Sequence, residues 1–391
     1  MRLMPSWENC TASHSFPKGR LTNWTALGKC FVRQKWRQGV GGSARPADGD
    51  AFALDVAAVA GHLAAHGLRL DPAAGARRLS GGLSNLNYLV SVDGRPAVLR
   101  RPPAGELAPG AHDMVREHRI LSRLSKAFAP APDSFFLCTD LSVIGAPFQL
   151  MEYREGRVVA GDRLPPDLDA PERTAALSRE LVATLVALHA VDAGDIGLGD
   201  FGRPEGFFAR NVGGWVKRGV ALALDGAPAR RVTEVAGWLD ANVPAPLAPT
   251  LLHSDFKLDN CMLDAGLRVG TVLDWDMGTR GDPMMDLATL TSYWTEPGDP
   301  DCMHRLAQMP TARPGFLTRA EVVQAYAAAS GRDVSGFGAW RILALLKLGI
   351  VFIQLHRNWM RGSVGDGRYA GFAELGADLL DFAAASTSRP I

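Results

Sequence analysis

Between Leu251 and Asp276 the chain reads LLHSDFKLDNCMLDAGLRVGTVLDWD, with ionisable and amide side chains set between apolar runs. His253-x-Asp255-x-x-x-x-Asn260 follows the apolar LAPTLL and reads as a loop. Fourteen residues past Asn260, the run TVLDWD puts Asp274 at the end of a β-branched strand pattern. Phosphoryl transfer from a nucleotide needs such a set. One carboxylate orients a hydroxyl and takes its proton, while an amide oxygen and a second carboxylate hold magnesium against the phosphates. Asp255, Asn260 and Asp274 can fill those roles in that order. Lys257, two residues past Asp255, can carry positive charge to the transferring group, where negative charge has to be stabilised.

The neighbours of these residues have plainer readings. His253 is expected to brace the loop through backbone hydrogen bonds, because the carboxylate beside it suits the base role better. Asp259 and Asp264 read as solvated turn residues, and Asp276 as a surface or capping residue rather than a ligand to a second metal. In RGDPMMDL, Asp282 has the place of an N-cap with Pro283 as the first helical residue, and Asp286 is placed to brace the loop. His189, in the apolar VALHAV, reads as a core histidine with its hydrogen bonds satisfied.

These residues need elements to position them. The 391 residues are 47% hydrophobic with a net charge near +1, which describes a globular chain of two or three domain-sized units and favours neither nucleic acid nor an anionic membrane as partner. Residues 1–50 hold eight Lys or Arg against three Asp or Glu, show no period, and read as a poorly ordered extension. Order is expected from DVAAVAGHLAAHG, a helix closing on Gly67. ARRLSGGLSNLNYLVSVDGRPAVLRRP follows with strand alternation and an Asp93-Gly94 hairpin signal. A helix over HDMVREHRILSRLSKAF and two apolar segments, SFFLCTD and APFQLMEY, complete a sheet-rich unit. Beyond Gly156 helical patterns dominate. The longest apolar run, ILALLKLGIVFIQL, is broken by Lys347, falls short of the roughly 20 residues of a bilayer span, and reads as a core helix. The expected plan is α+β with two lobes, an N-lobe over 51–152 and a helical C-lobe over 153–391, with a ligand cleft between them. Five cysteines without close pairing suggest neither a disulfide framework nor a Cys-type zinc site, and a reducing cytoplasm is the expected compartment.

HSDFKLDN followed by LDWD resembles the catalytic and metal-binding loops of the aminoglycoside phosphotransferase and choline kinase-like family, kinase-fold enzymes that act on small molecules. The resemblance covers roughly residues 75 to 360. GGLSNLNYLV, VLRRPPAG, AHDMVREHRIL and GDPMMDLATL are similar, more narrowly, to the phosphotransferase domains associated with acyl-CoA dehydrogenases, a subgroup linked to phosphorylating hydroxyacyl-CoA thioesters. The resemblance implies ATP and Mg2+ as cofactors. It implies a phosphate-covering turn at Gly81, Gly82, Ser84 and Asn85, and a phosphate-pairing cation at Arg100, where the wider family has Lys. Glu117 is then the partner of Arg100 on the first-lobe helix, and Met151, Glu152 and Tyr153 complete the nucleotide-binding set. A guanidinium can serve at position 100, as a wider planar fork than an ammonium.

Other readings stay open on the sequence. The acceptor could be an aminoglycoside or another small alcohol, or the chain could bind nucleotide without catalysis. A metal-dependent hydrolase using His253, Asp255, Asp274 and Asp276 is weakened by the absence of ligand spacing among the other histidines. Protein kinase activity is disfavoured, because no A-P-E segment follows LDWD. The acceptor is expected on the helical unit, near Trp215, Tyr293, Trp294 and Arg357. Lys217, Arg218, Lys347 and Arg357 lean toward a phosphate-bearing acceptor rather than an aminoglycoside. The oligomeric state is not legible.

Overall fold

A computed structural model describes residues 54–79, 85–103, 113–362 and 367–389, so the expected extension over 1–50 lies outside the described residues. Asp55 opens helix α1 (Val56–Ala65) by accepting from the Ala58 N–H at 2.9 Å, and Gly67, at φ 79°, stands just past its end. Strands β1 (Arg77–Leu79), β2 (Leu86–Val92), β3 (Arg95–Arg101), β4 (Ser134–Cys138) and β5 (Phe148–Glu152) pair antiparallel in the order β1-β2-β3-β5-β4. Asp93 and Gly94 take φ of 49° and 73° between β2 and β3, the left-handed pair that a two-residue hairpin of this twist requires. Between β3 and β4 lies α2 (Met114–Leu124), capped by Asp113 and burying Met114, Glu117, Ile120, Leu121 and Leu124 on one face. A single turn, α3 (Leu141–Ile144), joins β4 to β5.

The rest of the chain is mostly helical: α4 (Pro171–His189), α5 (Phe207–Ala221), α6 (Gly226–Ala241), α7 (Met284–Ser292), α8 (Asp301–Leu306), α9 (Arg319–Ser330), α10 (Phe337–Met360) and α11 (Phe372–Ser386). Its strands are short: β6 (Arg157–Val158), β7 (Thr250–Leu252), β8 (Cys261–Leu263), β9 (Val269–Val272) and β10 (Thr279–Gly281) form the sets β6-β8-β9 and β10-β7. The loops of interest hang from these strands.

By length and composition α10 could cross a membrane, but 78% of its apolar window is buried inside the protein, where it packs on α7 and α11. It is a core helix. Two apolar clusters form. A smaller one joins α1 to one face of the five-stranded sheet through Val59, Leu63, Tyr88, Leu99 and Phe148. The larger spans the helical unit and also takes in Ile120, Leu121 and Leu124 of α2. The helix beside the sheet thus shares its core with the helical unit, which fixes Glu117 relative to the loops below it.

Candidate active site

Alternation along β3 sends Leu99 to the α1 side of the sheet and Arg100 to the α2 side. Register then builds a polar row: Asn87 of β2 and Gln149 of β5 stand opposite Arg100 on its two neighbouring strands. Arg100 Nε donates to Glu117 Oε2 at 2.8 Å, Gln149 Nε2 donates to the same oxygen at 2.7 Å, and Arg100 Nη1 reaches Asn87 Oδ1 at 3.4 Å. The remaining arm, Nη2, pairs with Asp274 of the helical unit. Burial opposes the Arg100 charge, yet Glu117, Asp274 and Asp276 hold its pKa above the ordinary guanidinium range. Burial lifts Glu117 above the usual carboxylate range against the pull of Arg100. At Asp274, burial pushes upward as well, but the charge and hydrogen bond of Arg100 outweigh it and the pKa falls. The expected Arg100–Glu117 pair is present, and Gln149 and Asn87 are its unanticipated members.

Across the cleft, β7 delivers the chain into the loop from His253 to Asn260. Ser254 takes φ of 68°, a strained conformation for a residue with a Cβ, and the core holds it there. Asp286 of α7, fully buried, accepts from the backbone N–H of His253 and of Ser254, both at 2.7 Å, and pairs with His189 Nε2 at 3.3 Å. Lys347 of α10 donates to the Ser254 carbonyl at 3.0 Å. His253 lies between Leu273 O, 2.7 Å from Nε2, and the Asp255 N–H, 3.2 Å from Nδ1. That occupies both ring nitrogens, so His253 braces the loop and is unsuited to ligate a metal. His189 is a satisfied core residue, 2.8 Å from Tyr326 Oη.

This bracing presents three side chains together. Asn260 Nδ2 donates to Asp255 O at 2.8 Å and to its Oδ2 at 3.2 Å, and Lys257 Nζ lies 3.5 Å from Asp255 Oδ2. Tyr293, at the end of α7, donates to Asp255 Oδ1 at 3.4 Å and carries Lys257 Nζ 4.8 Å from its ring centroid. Burial works against the Lys257 charge, but Asp255 first, and Asp259 as well, keep its pKa above the ordinary lysine range.

Several expectations need correction. Asp259 is not a solvated turn residue: its carboxylate is 3.5 Å from Lys257 Nζ, and burial raises its pKa. Asp276 is no surface cap either. Burial, then the negative charges of Asp274 and Glu117, push it up to about 7. Trp294 is wholly buried with Nε1 bonded to Leu317 O, and Lys347 is committed to Ser254, so both belong to the scaffold rather than to an acceptor surface. Asp282 accepts from Met284 N–H at 3.0 Å as an N-cap would, and also from Leu247 N–H at 2.9 Å, which ties down the segment before β7. Asp264 folds its own turn by accepting from Gly266 and Arg268.

Of the expected nucleotide-binding residues, Gly81, Gly82 and Ser84 lie outside the described residues. Asn85 is buried, and Met151 is buried at the end of β5. The Glu152 carboxylate is taken up by Arg154, at 2.7 Å, and by the Asp133 N–H, at 3.2 Å, so its side chain serves the β4–β5 corner. Tyr153, half-buried, leads the chain out of the sheet.

Residues 75–331 match the phosphotransferase enzyme family. Among curated proteins, acyl-CoA dehydrogenase family member 11 of Gallus gallus is 35% identical over 56% of this chain and 28% of its own length. Family member 10 of Mus musculus is 37% identical over 53% of this chain and 19% of its own. The chain spans between 19% and 37% of the length of the curated relatives it matches. A Ralstonia eutropha protein provisionally described as an aminoglycoside phosphotransferase superposes with a TM-score of 0.70 at 24% identity, covering 86% of this chain and 99% of the other. A macrolide 2'-phosphotransferase type I superposes at 0.54 and 21%, covering 83% and 96%. At those identities the solved structures establish the fold. With well over half its length matched, the chain belongs to the phosphotransferase enzyme family, small-molecule kinases built on a two-lobed kinase-like α+β fold.

Proposed function

We propose that the protein transfers the terminal phosphoryl group of ATP to a hydroxyl group of a small molecule, with a hydroxyacyl-CoA as the acceptor. The observation that carries the reading is the meeting of two preorganised sets: Asp255, Lys257 and Asn260 on one loop, and Asp274 bound by the Arg100–Glu117 pair. In the transfer, the acceptor oxygen forms a bond to the terminal phosphorus as the bond to the ADP oxygen breaks. Asp255 takes the hydroxyl proton, and Lys257 and Arg100 offset the charge on the phosphoryl oxygens.

The residues fit magnesium. Asn260 and Asp274 supply hard oxygen donors, and burial, then the neighbouring charges of Asp274 and Glu117, lifts Asp276 to about 7, a gathering of carboxylates that a cation relieves. Among the described residues no three His, Cys, Asp or Glu side chains form a ready-made metal site. That suits an ion held by one or two protein oxygens together with phosphates. Such an ion, when bound, neutralises phosphate charge; Asn260 and Asp274 would hold it.

The acceptor class draws on two supports. The curated relatives are named acyl-CoA dehydrogenase family members. The helical unit beyond Asp255 also presents a cation, exposed Arg218, stacked 4.6 Å from the Trp215 ring. An aminoglycoside would be repelled there. The reading places the enzyme in the cytoplasm, in keeping with buried free thiols at Cys138, Cys261 and Cys302.

The test is ADP release from magnesium-ATP with hydroxyacyl-CoA, aminoglycoside and simple alcohol acceptors. ADP formed only with a hydroxylated acceptor, and fastest with hydroxyacyl-CoA, is the expected result. ADP formed equally fast without acceptor would make the protein a hydrolase, and nucleotide binding with no ADP would make it a binding module.

A further inference from the structure

A cleft lies away from Arg100, where α2, α5 and β10 meet. Its volume is about 710 Å³, and its charged lining is Arg116, Arg119, Arg203 and Arg210 against a single carboxylate, Asp113. Asp113 already caps α2 by accepting from Arg116 N–H at 3.0 Å. Arg116 and Arg119 stack on Phe201 at 5.7 and 5.3 Å, so their planes are set before any ligand arrives. Arg210 donates to the carbonyls of Arg203 and Glu205 and so fixes the turn that carries Arg203. Arg119 is partly spent on exposed Asp200, at 2.6 Å. Preset guanidinium forks in excess over carboxylates recognise phosphate groups.

The cleft is not isolated from the candidate active site. Thr279 on its floor pairs with Leu252, three residues before Asp255. The α5 helix runs the same way. Phe207, Asn211, Gly214 and Arg218 recur at four- and three-residue spacing and so share one flank, rising roughly 16 Å from the cleft to Arg218 beside Trp215. Gly214 stands in the middle of that flank. A glycine inside a helix costs about 1 kcal/mol against alanine, and here no packing demands it, because a Cβ at Gly214 would meet nothing within 4 Å. Its missing side chain leaves the middle of the track open.

We infer that this flank of α5 is the docking track of an elongated, phosphate-bearing acceptor, with its phosphates among Arg116, Arg119 and Arg203, its arm across Gly214, and its hydroxyl end at Asp255. The inference rests on the phosphotransferase reading above and adds where the acceptor binds and by what chemistry. The shared ligand chemistry is a multiply charged phosphate; coenzyme A and free pyrophosphate are its two sources to separate.

The experiment is calorimetric titration of the full chain, with the nucleotide site saturated by a non-hydrolysable ATP analogue and magnesium. Coenzyme A should bind, and pantetheine, which lacks the phosphates, should bind at least about tenfold more weakly. Arg116→Ala with Arg203→Ala, and separately Gly214→Leu, should each weaken coenzyme A by about tenfold or more. Leucine favours the helix over glycine, so Gly214→Leu tests steric blockage in a folded protein. Gly213→Leu makes the same gain off this flank, where a Cβ also meets nothing within 4 Å, and should leave binding unchanged. Pyrophosphate binding as tightly as coenzyme A, with Gly214→Leu silent, would reduce the cleft to a small-anion site and overturn the track. So would coenzyme A failing to bind once the nucleotide site is filled. Binding that follows these expectations without ADP release from any acceptor would refute the phosphotransferase reading and leave the track standing. ADP release from hydroxyacyl-CoA that is indifferent to all three substitutions would do the reverse.

Discussion

Two loops bring carboxylates to the cleft, and they are held in opposite ways. The loop from His253 to Asn260 is anchored from behind, inside its own lobe: Asp286 takes two of its N–H groups, Lys347 takes a carbonyl, and His253 ties it to Leu273. The loop after β9 carries Asp274 at φ 67°, equally strained, but the partner of that carboxylate is Arg100, on the sheet of the other lobe. Behind it, Gly278 lies so close to Ile120 of α2 and to the Trp275 carbonyl that no side chain fits. The first loop is set before any ligand binds. The second shares the His253–Leu273 contact, but its Asp274 carboxylate is oriented by an ion pair that phosphates can compete for. A group that must meet a hydroxyl in one fixed geometry sits on the rigid loop, and a group proposed to hold an exchangeable cation sits on the other.

The largest expected effect removes the anchor. Asp286→Ala strips three donors of a buried acceptor and should cost roughly 3–5 kcal/mol of stability, the range for breaking a buried charge network. Chemical denaturation would read it. A loss below about 1 kcal/mol would mean that the first loop is held by its strand alone and that the contrast between the loops is false.

Next is Asp255→Asn, which keeps shape and removes the proton acceptor. Turnover should fall by on the order of 10² or more while the melting temperature stays near that of the parent, since the anchor lies behind the loop. Single-turnover kinetics with unchanged rates would remove Asp255 from the base role.

What the sequence could tell follows from range. The Asp93-Gly94 hairpin, the α2 helix and the spacing of Asp255, Lys257 and Asn260 are local, and local spacing survives folding. Asp286 was readable as a brace because it follows Asp282 and Pro283 at a helix start. Lys347 was not readable: it lies 93 residues from Ser254, and inside an apolar run it looks like an interruption until the fold sets it against that carbonyl. Gln149 and Asn87 are equally silent alone, since only strand register stands them beside Arg100. Asp276 was misjudged because no periodicity tells which way a loop turns. The arginine cleft draws on α2, α5 and the turn before α5, and no short window contains it.

Arg100→Ala tests the other loop. It removes one charge-assisted phosphate contact and the partner of Asp274, and kcat/KM for ATP should fall roughly 30- to 100-fold, about 2–3 kcal/mol. Arg100→Lys should recover part, since an ammonium keeps the charge but not the fork that now spans Glu117 and Asp274. Combining Arg100→Ala with Glu117→Ala should cost less than the sum, because both changes break one unit. Additive losses would separate the pair. Arg101 is the control in the same strand, with a correction: it is buried, so Arg101→Ala should lower stability while leaving kcat/KM for ATP near the parent value.

The smallest effect is the most specific to the second loop, and it concerns Asp276. In the folded protein, burial and then the charges of Asp274 and Glu117 raise its pKa to about 7, whereas an unfolded aspartate titrates near ~3.9. Between those values the folded state holds a proton that the unfolded state has released, so folding stability declines as pH rises through that window and stays reduced above it. Asp276→Asn abolishes the term. In ligand-free protein the melting temperature of the variant should exceed the parent's by ~1–2 °C at pH 8, a shift matching about 1 kcal/mol in a chain of this size, and the gap should close toward pH 4. Magnesium with a non-hydrolysable ATP analogue should narrow the gap at pH 8, because added positive charge relieves the same repulsion that the substitution removes. Equal melting temperatures at both pH values would make Asp276 an ordinary carboxylate and the second loop less strained by charge than its geometry implies.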